Sequence, residues 1–194
     1  MAFISVDVEA SGPLPGFFDL LSIGAVAVRV AGDSIAIDDG GFYVELAPIH
    51  GRADPGAMRV NRLDYEQLKR TGEPLDVAAR TFADWTKVVS TDGPPVFVGY
   101  CANFDWAFVN DLFFRAGIEN PFGYKAMDLR SLALGVLDLG WEDLRQDRML
   151  PLLGLQPLSE ADAHHALADA KHQAAMFKAL MECAWRRSGR PRAS

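Results

Sequence analysis

The sequence predicts an α/β fold, a mixed β-sheet flanked by α-helices, and three observations carry that prediction. Residues 3–46 read as successive strands joined by turns, residues 64–89 switch to a helical period, and a compact apolar run at 96–100 then stands between two helical stretches. Strands first, followed by alternating helices and strands, is the order of a three-strand antiparallel meander extended by parallel strands.

The first strand is built from Phe3, Ile4, Val6 and Val8 and is stopped by Ser11-Gly12-Pro13. Side chains on a strand alternate, so Asp7 and Glu9 point to one face and converge. Two readings stay open: a solvated pair at a fraying strand end, or a pair held together by a cation or a proton. The following loop, residues 12–18, holds two prolines and two glycines, with Leu14, Phe17 and Phe18 as large apolar side chains that a loop rarely exposes without reason. Residues 20–30 read as a long strand, Gly32-Asp33 as a turn and residues 34–46 as the third strand.

Residues 48–61 show no periodicity and are expected to be irregular. A short helix over 64–70 ends at Thr71-Gly72, and Pro74 opens a second helix that presents Leu75, Ala78, Ala79, Phe82 and Trp85 on one side. Thr91-Asp92-Gly93-Pro94-Pro95 breaks that helix before the strand at 96–100, which suits burial on both faces. A helix over 104–115 ends at Gly117. Residues 125–127 lead into Asp128 and a helix through 137, and residues 138–157 receive no assignment. The last helix spans 166–185 along a stripe of Leu167, Ala170, Ala174, Phe177, Leu180 and Met181. Residues 1–187 read as a single domain. The arginine-rich end from Arg186 onward reads as mobile, with 188–194 as a basic tail.

A chain of 194 residues can bury roughly 70% of its unfolded surface without staples. Cys101 and Cys183 form no CxxC or Cys/His spacing, which argues against zinc and for reduced thiols in the cytoplasm. The N-terminus lacks a basic leader pattern and no apolar run reaches membrane-spanning length, so no membrane partner is expected. A net charge of −7 counts against a phosphate-bearing partner, unless clustered acids bind divalent cations and reverse the local sign.

Two further clusters carry chemistry. Asn103-Phe104-Asp105 follows directly on the strand at 96–100, where sites in α/β sheets commonly lie; the alternative is a helix start with Asn103 as N-cap and Asp105 in the first turn. In His164-His165-Ala166-Leu167-Ala168-Asp169-Ala170, helical spacing puts His165 on the face of Asp169, so spacing alone selects His165.

Taken together and in order, Asp7-Val8-Glu9-Ala10-Ser11-Gly12, Asn103-Phe104-Asp105 and His164 to Asp169 resemble the three motifs of the DEDDh 3′-5′ exonucleases. This ribonuclease-H-like family includes oligoribonuclease, ribonuclease T and the proofreading subunits of bacterial replicative polymerases. The resemblance selects His164, five positions before Asp169, in conflict with helical spacing unless His164 precedes the helix. It implies two Mg²⁺ or Mn²⁺ ions, with Asp7 bridging, Glu9 and Asp169 completing one site and Asp105 contributing to the other, and His164 acting on the attacking water. It further implies a single-stranded RNA or DNA 3′ end as substrate and 5′-monophosphates as products. The substrate contacts would come from Ala10, Ser11, Gly12, Leu14, Phe17, Phe18, Asn103 and Phe104. The family often has an acid before the second-strand Ile-Gly-Ala-Val, where this chain has Ser22. Many members are dimers, so a homodimer is one arrangement the resemblance allows, with Trp141 serving either such an interface or the core. Two rivals are a proofreading subunit docked on a polymerase and a non-catalytic nucleic-acid-binding module; metal-dependent turnover separates the second from the enzyme.

Overall fold

A computed structural model describes residues 2–189. The expected sheet is present: β1 (Ala2–Ala10), β2 (Leu20–Ala31), β3 (Ser34–Ile37), β4 (Phe42–Glu45), β5 (Val96–Gly99) and β6 (Ala126–Asp128), ordered β3-β2-β1-β5-β6 with β4 also on β2. The β1, β2, β3 and β4 pairings are antiparallel, whereas β1–β5 and β5–β6 are parallel. The helices are α1 (Pro55–Asn61), α2 (Tyr65–Thr71), α3 (Leu75–Val89), α4 (Ala102–Ala116), α5 (Leu129–Val136), α6 (Gln146–Leu153) and α7 (Ala166–Arg187).

Alternation along β1 divides the core. Ile4, Val6 and Val8 pack with Phe82 of α3 and Val109, Leu112 and Phe113 of α4. The opposite face belongs to α5, α6 and α7, and there Phe3 meets the Phe177 ring at 4.8 Å between centroids. Asp7 and Glu9 share the side of Phe3, so the parity of the strand aims them at α7.

Three expectations need correction, and one unassigned stretch is filled. Residues 34–46 are two strands, because Asp38-Asp39-Gly40-Gly41 interrupts the pairing: Asp38 donates its N–H to Ala27 O and its carboxylate meets Arg29 at 2.7 Å. Residues 48–61 are not wholly irregular; Asp54 caps α1 by accepting the Ala57 N–H, with Pro55 at the first helical position. In the unassigned stretch, α6 and a 3₁₀ turn at Trp141–Asp143 form. Finally, Arg186 and Arg187 are the last turn of α7, where Arg187 donates to Val136 O, so the expected mobile arginine-rich end does not begin there. Residues 190–194 of the expected tail lie outside the described residues. Cys101 and Cys183 are free thiols, and among the described residues no helix is long and apolar enough to cross a membrane.

Candidate metal centre

Cross-strand register arranges the floor of the site. Asp7 sits opposite Gly24 on β2, which sits opposite Tyr43 on β4; Glu9 sits opposite Ser22, which sits opposite Glu45. Directly paired residues share a face, so both rows look toward α7. Gly24 allows α7 to come down onto the sheet. A Cβ at that position would run into the backbone of Ala166 and Leu167 at the start of the helix.

That close approach brings Asp169, in the first turn of α7, to the strand carboxylates. One carboxylate oxygen from each of Asp7, Glu9 and Asp169 lies within 4.8 Å of the others. These are the three acids that the family resemblance assigns to one ion. Asp105, buried at the start of α4, stands outside this triad and accepts the Val8 N–H on Oδ1 at 3.0 Å. The bond ties the second motif to the backbone between Asp7 and Glu9. Asn103 is not the N-cap of α4. Cys101 takes that position in a left-handed conformation, and Ala102 donates its N–H to Asp128 Oδ2.

The electrostatics describe a site short of positive charge. Burial first, then Asp105, Asp169 and Glu9, raise the Asp7 carboxyl well above its usual range, against the opposing Gln173 hydrogen bond. Burial and the charges of Asp169 and Asp105 push Glu9 up to about 8. Burial pushes Asp105 up to about 7, with the Val8 amide opposing. Asp169 is raised by burial against the backbone amides and rings of its histidine neighbours, and its Oδ2 is buried without a hydrogen-bond partner. Oxygen-only donors, three of them convergent and one left without a donor, fit a hard divalent cation.

Gln173 completes the wall, and sequence reasoning missed it. Its Nε2 donates to Asp7 Oδ1 at 2.6 Å while its Oε1 accepts the Tyr100 N–H at 2.9 Å. The available signal was a polar residue four positions after Asp169, inside an otherwise apolar stripe of α7.

The histidines resolve the conflict in spacing. Helix α7 begins at Ala166, with His165 as its extended N-cap and His164 before it in the left-handed region at φ 65°. Neither histidine is inside the helix, so the face argument that selected His165 does not apply. The His165 ring instead stacks on Tyr43, 4.5 Å between centroids at 21°; both histidines are exposed, and His164 is near enough to Asp169 to oppose the rise of its carboxyl. Arg62 Nη1 donates to Glu160 O at 2.8 Å, binding the end of α1 to the loop that carries His164. Non-glycine residues with positive φ are uncommon, and Cys101 and His164, two of the four described, mark the turns that deliver the second and third motifs.

The loop after the first motif divides into anchors and exposed side chains. Ala10 and Ser11 are buried; Ala10 O accepts from Asn61, and Ser11 Oγ donates to Arg52 O and accepts the Asp19 N–H. The Phe18 ring lies over Gly12 so closely that a Cβ there would clash. Leu14 and Phe17 are exposed, and the Arg52 guanidinium sits 4.0 Å from the Phe17 ring centroid. Phe104 is partly exposed against Phe108, 5.0 Å between centroids.

Residues 58–181 match the family described as the 3′-5′ exoribonuclease Rv2179c-like domain. The chain is 37% identical over 180 residues to the 3′-5′ DNA exonuclease Cap18 of Escherichia coli, covering 92% of this chain and 90% of that protein. Among solved structures, E. coli exonuclease I in complex with a dT13 oligonucleotide superposes with a TM-score of 0.74 at 18% identity, covering 97% of this chain and 42% of that one. The nuclease domain of 3′hExo, a DEDDh family member bound to rAMP, gives a TM-score of 0.74 at 15% identity, covering 97% and 92%. The chain thus spans about two fifths of the exonuclease I chain, and at these identities the structural likeness establishes the fold, a ribonuclease-H-like mixed sheet.

Proposed function

The chain belongs to the DEDDh-type 3′-5′ exonucleases, and from that premise we propose that it removes nucleotides from the 3′ end of single-stranded nucleic acid as 5′-monophosphates, with His164 as general base. Membership and the acid cluster make it a metal-dependent phosphodiester hydrolase. One observation carries the reading: Asp7, Glu9 and Asp169 converge within 4.8 Å, with Asp169 Oδ2 buried and unpartnered. Buried acids that repel one another are retained where a cation is to be held.

In the proposed mechanism Asp7, Glu9 and Asp169 would hold a Mg²⁺ or Mn²⁺ ion, and Asp105 would contribute to holding a second. When bound, the ions supply Lewis acidity toward the attacking water and the departing 3′ oxygen. Asp105, fixed by the Val8 amide, and Asp7, fixed by Gln173, present their remaining oxygens in set directions. His164, projecting from the turn before α7, takes a proton from the water. The water oxygen bonds to phosphorus as the bond from phosphorus to the 3′ oxygen of the preceding nucleotide breaks, and that oxygen then takes up a proton from solvent to leave a 3′-hydroxyl. Leu14 and Phe17, exposed beside the first motif, provide the apolar surface for the terminal base.

DNA takes first place as substrate, because the relative matching 92% of the chain is described as a DNA exonuclease; RNA follows from the family description over residues 58–181. The test is a panel of 5′-labelled single-stranded DNA and RNA oligomers with Mg²⁺ or Mn²⁺. Stepwise shortening from the 3′ end, abolished by chelator and by Asp7→Asn, is the expected result. Oligomers left intact under every condition, or cut equally by Asp7→Asn, would overturn the reading.

A further inference from the structure

A second concavity, of about 540 Å³, lies against the same first turn of α4 that carries Asp105. Its walls include Asn103, Trp106, Tyr124, Arg130 and Trp141, from α4, the segment before β6, α5 and the 3₁₀ turn. The volume is in the range of small-ligand sites.

The chemistry of the walls is specific. The Arg130 guanidinium carbon is 5.2 Å from the Trp141 ring centroid, and Lys125, which lines a neighbouring concavity, places Nζ 5.6 Å from the Tyr124 ring centroid. Among the described residues neither cation has a carboxylate partner. Arg130 Nη1 reaches only Cys101 Sγ, at 3.6 Å, and its Nε is buried without an acceptor. Asp128, the acid in the wall, acts on Arg130 through its charge but makes no hydrogen bond or ion pair to it. Its Oδ2 takes the Ala102 N–H, and its Oδ1 takes the N–H and hydroxyl of Ser131. Trp141 and Tyr124 meanwhile stand 59% and 82% exposed. Arg130 also lies over Tyr100, 6.0 Å from its centroid, yet its Nε and the Trp141 and Tyr124 faces stay open. A ligand with flat rings and spaced negative charges would satisfy all of them.

We propose that this cavity is a second nucleotide subsite, which holds the strand upstream of the 3′ terminus by stacking on Trp141 and Tyr124 and by a phosphate contact to Arg130. The assignment rests on the exonuclease reading and extends it. Continuity supports the choice of occupant, since Asn103 lines the cavity and Asp105, two residues on, belongs to the acid cluster. On this assignment a strand whose last phosphodiester lies at the acids passes its preceding nucleotides along this turn. The subsite makes binding depend on strand length, which the acid cluster by itself does not.

The experiment measures affinity against length, using fluorescence anisotropy of 5′-labelled oligothymidylates of two, four and eight nucleotides with Ca²⁺ in place of Mg²⁺, and turnover of the same strands with Mg²⁺. Wild-type affinity is expected to rise at least tenfold, on the order of one stacked base, from two to eight nucleotides. Trp141→Ala and Arg130→Gln should erase most of that gain, and Trp141→Phe should keep it. Arg130→Gln should also flatten the slope of log affinity against log salt by about 0.7, one phosphate contact on a single strand. A length dependence untouched by Trp141→Ala and Arg130→Gln overturns the subsite alone. If Trp141→Ala instead converts a dimer to a monomer in sedimentation with the length dependence intact, the face is an interface between copies and the subsite is likewise overturned. A wild-type protein that neither binds nor shortens any strand overturns the exonuclease reading as well.

Discussion

Replacing Gly24 by alanine adds one carbon beneath the start of α7. That carbon would fall under 3.0 Å from the carbonyl of Ala166 and the amide of Leu167, where ordinary contact begins at 3.4 Å. The obstacle is backbone on both sides, so no side-chain rotation relieves it, and the helix must recede by on the order of 1 Å. Asp169 sits in the first turn of that helix and moves with it, away from Asp7 and Glu9 on the strand. A displacement of this size at a reacting centre costs roughly 100-fold in rate, and overpacking of this kind costs about 1 to 3 kcal/mol of stability. We therefore expect Gly24→Ala to remain folded by circular dichroism, to bind Mn²⁺ more weakly in calorimetric titration, and to lose about two orders of magnitude in kcat for 3′-end cleavage. Gly24→Ala with wild-type kcat and Mn²⁺ affinity would refute the argument that this contact sets the position of Asp169.

Other expectations concern protons and individual side chains. Glu9 is pushed up to about 8 from an ordinary 4.5, so the folded metal-free protein holds a proton that the unfolded chain has released. Stability from that group is present below pH 4.5 and is lost as pH rises through about 8. Melting in chelator should fall across that window, added Mn²⁺ should restore it most at the alkaline end, and Glu9→Gln should flatten the metal-free profile. Gln173→Leu removes the donor to Asp7 and leaves the Tyr100 amide without an acceptor, at about 1 to 3 kcal/mol; thermal unfolding and kcat should both fall. His164→Ala should lower kcat by about 10² to 10⁴ while leaving Mn²⁺ affinity near wild type. His165→Ala should cost mainly the ring contact with Tyr43, about 0.5 to 1.5 kcal/mol, read as a lower melting temperature with most turnover kept.

Legibility in the sequence followed the range of the interactions concerned. Strand parity is a local property, so the convergence of Asp7 and Glu9 could be read from residues 3–9, and it is what brings their oxygens together. The apolar run at 96–100 likewise disclosed a buried strand with an acid just beyond its end, although α4 begins two residues earlier than its periodicity suggested because Cys101 caps it. Helix α1 was overlooked although Asp54-Pro55 is a start signal, since its seven residues are too few for a period to show. Residues 34–46 alternate well enough to look like one strand, and only the pairing with β2 reveals the interruption at Asp38. Gln173 was invisible for a different reason. Its partners, Asp7 and Tyr100, lie 166 and 73 residues away in the chain, and no local pattern encodes such a pairing.

Those separations also bear on time. The hydrogen bonds that join the three motifs, from Val8 to Asp105, from Gln173 to Asp7 and from Tyr100 to Gln173, close loops of 97, 166 and 73 residues. Long closures are paid for in chain entropy before any contact rewards them. Asp7 and Glu9 are neighbours along one strand from the start, but Asp169 joins them only once the last helix has docked on the sheet. A nascent or unfolded molecule carries every residue of the site without its geometry, so hydrolytic capacity arrives in one step with the finished fold and disappears in the same step when α7 detaches. In a nuclease this coupling is a safeguard: destruction of nucleic acid is a property of the assembled molecule alone.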